Sequence, residues 1–150
     1  MKILLLSYLF FSSLCFLPQP VKVLEATSRV FTMGREESGS GVEYKIRIKV
    51  NKGSEQLFFS RVWVGSKSFI PEIKNITRAG RKYHFQKGDE LLVVFIQWTQ
   101  YPTGFSTGRS DDEGPLPDFK GDGLLIYQKG RKEKSVLIPV FRKLPEEIGL

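Results

Sequence analysis

Among the 150 residues there is one cysteine and one histidine. A single cysteine excludes an internal disulfide framework, and a lone His84 with no second cysteine excludes the usual zinc ligand sets. His84 also has Arg81 and Lys82 as neighbours in the chain. It reads as a strand residue at the solvent edge. Helical periodicity is missing as well. No stretch after residue 20 repeats apolar residues at helical spacing over ten positions; at most Leu144-Pro145-Glu146-Glu147 opens a single helical turn. Glycine-rich nucleotide motifs are absent, since Gly39-Ser40-Gly41 and Gly121-Asp122-Gly123 lack the remainder of either motif. No cofactor is expected. Hydrophobic residues at 41% and charged residues at 26% exclude a disordered tail or a polytopic membrane protein.

Only one long apolar run exists, and it is N-terminal. After Lys2, Ile3 to Leu17 is mostly apolar over 15 residues and is closed by Pro18-Gln19-Pro20. A positive start, a short apolar core and a breaker mark a secretory signal peptide, and the run is shorter than the roughly 20 residues that span a bilayer. Residues 1–20 are assigned to this leader, with cleavage between 15 and 26. Ser13-Leu14-Cys15 and Leu24-Glu25-Ala26 are the two candidate sites. Cys15 does not sit in a lipoprotein motif, because Ser12 and Leu14 occupy positions that require an aliphatic and a small residue. The expectation is a secreted, periplasmic or cell-surface protein, not lipidated, with no transmembrane segment in the mature chain. Removing the leader takes away Lys2 and no acid, so the charge falls from +7 to +6.

What remains, 21–150, reads as one domain. Glu43 to Val50, EYKIRIKV, alternates strictly between apolar and mainly cationic residues, the period of a half-buried strand. Leu57 to Val64 is aromatic and β-branched, and Asn51-Lys52-Gly53-Ser54 predicts a hairpin between the two. Leu91 to Trp98 is almost continuously apolar and predicts a central strand covered on both faces. Leu124 to Gln128 and Ser135 to Arg142 flank a turn at Lys129-Gly130-Arg131-Lys132. Pro139 places the last strand at an edge or bulge. Weaker strands are expected at Ser28 to Met33, Ser68 to Ile73 and Tyr83 to Gln86. Seven or eight short strands indicate an all-β, antiparallel β-sandwich, with a small β-barrel as the alternative.

The connection Thr99–Gly123 is 25 residues without a strand pattern, and loops of that length tend to be functional. Within it, Gly104-Phe105-Ser106-Thr107-Gly108 matches a nucleophile-elbow pattern, but no helix follows and no histidine lies downstream. The acids Asp111, Asp112, Glu113, Asp118 and Asp122 lack the spacing of a calcium-binding loop. With Trp98, Tyr101, Phe105 and Phe119 they form the candidate ligand-binding set. Lys45, Arg47 and Lys49 make a basic stripe suited to weak contact with anionic surfaces, while export argues against nucleic acid. Asn75-Ile76-Thr77 is an N-glycosylation sequon. These observations favour a non-catalytic binding or structural module with a protein or glycan partner. The second reading is a small glycan-active enzyme using the loop acids.

Overall fold

The structure is a computed structural model that describes residues 19–35, 38–52, 57–78, 84–104 and 115–149. It is all-β, with two sheets. The first has the order β10-β1-β2-β6-β5, built from β10 (Glu147–Ile148), β1 (Val21–Thr32), β2 (Ser40–Val50), β6 (Glu90–Gln100) and β5 (Glu72–Asn75), with β9 (Arg142–Lys143) also on β1. The second has the order β4-β3-β7-β8, from β4 (Lys67–Phe69), β3 (Leu57–Val64), β7 (Gly123–Lys129) and β8 (Lys132–Ile138). Neither sheet closes on itself, so the barrel alternative is overturned. Among the described residues no helix is long and apolar enough to cross a membrane.

The alternation read from EYKIRIKV is realised in β2. Ile46, Ile48 and Val50 are fully buried, and they share one core with Val21 of β1, Leu91 and Val93 of β6, and Leu57, Val62, Leu125 and Ile138 of the second sheet. Burial of apolar side chains on this scale supplies the main stabilisation of a cysteine-poor chain.

Four expectations are corrected. β2 and β3 do not form a hairpin: β2 pairs with β1 and β6, whereas β3 pairs with β4 and β7. Both strands bury one apolar face, and placing them in different sheets lets the two faces meet in the same core. β6 is interior to its sheet, but only Leu91, Val93 and Phe95 are buried; Leu92, Val94 and Ile96 on the other face are half-buried. The segment around Leu144 is extended, not helical. Leu144 N donates to Ser28 O at 2.8 Å and Gly149 N to Thr32 O at 2.9 Å, so the C-terminal strands run parallel to β1 along its edge. The strand expected at Ser28 to Met33 is longer and earlier, starting at Val21.

A fifth expectation is also corrected: the strand read at Ser68 to Ile73 is two short strands, Lys67–Phe69 on β3 and Glu72–Asn75 on β6 in the other sheet, divided at Ile70-Pro71, where the proline cannot donate to a ladder. The edge placement of the last long strand and the turn before it hold. β8 lies at a sheet edge and stops at Ile138, before Pro139. The β7–β8 turn places Gly130 at φ +64°, a backbone conformation that glycine adopts without steric cost. Of the strand expected at Tyr83 to Gln86, Tyr83 lies outside the described residues and Phe85 makes an isolated bridge.

Candidate functional site

The register of the first sheet sorts its residues by face. Ile46 pairs with Ala26 and Val93, and all three are buried. The alternate positions Lys45, Glu43 and Gly41 therefore point outward, with Val94, Ile96 and Trp98 beside them on β6 and Arg29 and Phe31 on β1. Gly41 pairs with Phe31 on one side and Trp98 on the other. The two rings meet edge to face, 5.6 Å between centroids with an interplanar angle of 82°. Tyr101 lies 6.0 Å from Trp98. Beside this corner runs an open groove of about 250 Å³ lined by Phe31, Thr32, Glu43, Ile96 and Glu147. Phe31, Met33 and Glu147 belong to this site but carried no functional signal in the sequence; only the pairing of β1 with β2 and β10 brings them there.

The candidate loop residues divide between two places. Trp98 and Tyr101 lie at the outer corner. Asp122 lies at the seam between the sheets, where its Oδ2 accepts the Phe141 N–H at 2.9 Å and its own N–H donates to Ile138 O at 3.0 Å. There it fixes the turn after β8. Tyr44 is near it: burial first, and then the negative charge of Asp122, raise the phenol above its ordinary value. Tyr44 also stacks on Phe95 at 4.9 Å and meets Phe141 at 5.0 Å. Asp118 is exposed and Phe119 half-buried. Phe105, Asp111, Asp112 and Glu113, like the pattern Phe105 to Gly108, lie outside the described residues. Among the described residues no three His, Cys, Asp or Glu side chains form a metal-binding group.

Lys45, Arg47 and Lys49 share the outward face, as the alternation requires, but two of them have carboxylate neighbours. Lys45 Nζ is 2.9 Å from Glu43 and Arg47 Nη2 is 4.0 Å from Glu25, which also pairs with Arg142. Arg29 Nη1 lies 2.6 Å from Glu147 across the same face. The stripe is thus a lattice of mixed charge, and exposed pairs of this kind contribute about 0–1 kcal/mol each.

A second polar centre, unanticipated in the sequence, is built on Asp89, which is 3% exposed. Its carboxylate accepts from Arg78 Nε at 3.0 Å and Nη2 at 2.6 Å, from Asn75 Nδ2 at 3.1 Å and from the Gln86 N–H at 2.8 Å. The Arg78 hydrogen bonds hold the carboxyl below the usual range despite burial, which pushes the other way. Every acceptor direction is occupied by the protein, so this centre is structural. No protein-family model, no curated protein and no solved structure matches this chain.

Proposed function

We propose that the chain is an exported, non-catalytic β-sandwich binding module that works in a periplasm or at a cell surface and meets its ligand at the aromatic corner. The observation that carries this reading is the outward cluster of Phe31, Trp98 and Tyr101 beside a groove rimmed by carboxylates. Aromatic faces accept the apolar face of a flat ligand, and the carboxylates of Glu43 and Glu147 accept hydroxyl protons. A saccharide has both features, so a glycan is the ligand class that fits best. Asp122 is engaged in fixing a turn, which weighs against an enzyme built on the loop acids.

The test is a glycan array probed with the purified protein and its Trp98→Ala variant. Retention by a defined glycan set, lost in the variant, supports the reading. No retention, or equal retention by the variant, overturns it in favour of a protein partner or another surface.

A further inference from the structure

When two sheets share a core, the positions facing it alternate along each strand and carry apolar side chains. β7 and β8 obey this at one end. Leu125 opposite Val136, and Gly123 opposite Ile138, are all buried. Towards the other end the same face changes character. Tyr127, 1% exposed, stands opposite Lys134, and Lys129 stands opposite Lys132. Lysines thus occupy the inward register where the sheet reaches solvent.

The first sheet contributes from across the gap. The Asn51 and Lys52 N–H groups donate to Pro20 O at 2.8 and 3.4 Å, and Asn51 Nδ2 donates to Gln19 O at 3.1 Å. These bonds fix Lys52 beside the start of β1. The result is a cavity of about 380 Å³ lined by Gln19, Pro20, Lys52, Tyr127, Lys129 and Lys134. Among the described residues no carboxylate pairs with any of these three lysines, in contrast to Lys45 and Arg47. The length of β2 separates this mouth from the aromatic corner by about 30 Å.

Protection of an exposed edge accounts for lysines on β8, because inward charges there discourage strand addition. It does not account for Lys129, which is on an interior strand, or for Lys52, which belongs to the opposite layer. Ammonium groups brought around one cavity repel each other unless an anion lies between them. Lysine binds phosphate as a point charge with three donors.

We propose that this mouth binds a phosphate-bearing anion through Lys52, Lys129 and Lys134, with the Tyr127 ring as its floor. The phosphate can belong to a soluble phosphate ester or to a phospholipid headgroup, and the site is independent of the aromatic corner.

The experiment is a pyrophosphate titration of the purified protein at low ionic strength, followed by amide chemical shifts. Saturable shifts concentrated at residues 19–20, 52 and 127–134 are expected. The Lys129→Gln/Lys134→Gln double variant should bind about tenfold more weakly, and Lys45→Gln/Lys49→Gln should stay within about twofold of the parent. Sedimentation with phosphatidylcholine vesicles, with and without phosphatidylglycerol, distinguishes the source. Capture only by the anionic vesicles, lost in the first double variant, identifies a headgroup; a pyrophosphate response without capture identifies a soluble ester. Non-saturating shifts, shifts spread equally over the Lys45–Lys49 stripe, or an unchanged Lys129/Lys134 variant would overturn the proposal.

Discussion

Phe31 and Trp98 touch edge to face across Gly41, although 67 positions separate them in sequence. The glycine permits the contact. A Cβ at residue 41 would lie 2.5 Å from the Gln97 carbonyl oxygen and 3.2 Å from the Trp98 Cα, both backbone atoms that cannot swing aside. The two rings cover the strip of backbone that the missing side chain leaves open.

Gly41→Val should therefore destabilise the protein by about 1–3 kcal/mol, the cost of forcing extra volume into a packed site. Urea denaturation of the variant checks it. Phe31→Ala should cost less and leave the β2–β6 register intact, since it removes a ring that is half-buried and displaces no backbone.

Asp89 makes stability depend on acid pH. Its folded pKa lies below the unfolded value of about 3.9, so the native state binds fewer protons in that window. The contribution is fully present above the unfolded value and is lost as pH falls through the lower, folded one. Thermal melts should show a drop in stability below about pH 4, and Asp89→Asn should flatten that part of the profile. At neutral pH Asp89→Ala should cost about 2–3 kcal/mol, because it strands the donors of Asn75 and Gln86.

The sequon is part of the same network. Asn75 Nδ2, the atom that would carry a glycan, donates to Asp89; Asn75 Oδ1 accepts the N–H groups of Thr77 and Arg78, each at 3.0 Å, and Thr77 Oγ1 accepts the Glu90 N–H at 2.8 Å. A glycan on Nδ2 replaces one of its two hydrogens and sets a bulky sugar beside a nearly buried carboxylate, crowding this network. Any glycosylated fraction made in a eukaryotic secretory host should thus melt below the unmodified fraction. Equal melting temperatures for the two, separated on a lectin column, would refute this.

What could be read from the chain followed local order. The β2 alternation, the β7–β8 turn at Gly130 and the edge position imposed by Pro139 are written in adjacent residues. Which strand β2 pairs with is not, since Asn51-Lys52-Gly53-Ser54 suits a chain crossing between sheets as well as one turning back. Leu144 to Glu147 could start a helix, but the free edge of β1 offers its backbone better partners. The lysine mouth shows the limit most clearly. Lys129, Lys132 and Lys134 look like ordinary turn residues until the register with Tyr127 and Leu57 puts them on the inward side.

On the proposal that the chain is exported, its two candidate cleavage sites have different consequences for the fold. A cut after Ala26 would remove Val21, which is fully buried, together with buried Ala26 itself, and would take Pro20 O and Gln19 O away from Asn51. It would leave β2 facing solvent along Ile48 to Val50, whose pairing partners on β1 are Val23 and Val21. Burying one aliphatic side chain contributes about 1.5–3 kcal/mol, so a chain that starts at Thr27 loses several such terms and an edge of its sheet. A cut after Cys15 leaves every described residue of β1 in place and removes the only cysteine. The exported protein should begin between Phe16 and Gln19 by intact mass, and it should melt at the same temperature with and without reductant. A synthetic form starting at Thr27 should fail to give a cooperative melt. If that shortened form instead folds with the stability of the longer one, the first half of β1 is dispensable and the proposed cut after Cys15 loses its physical basis.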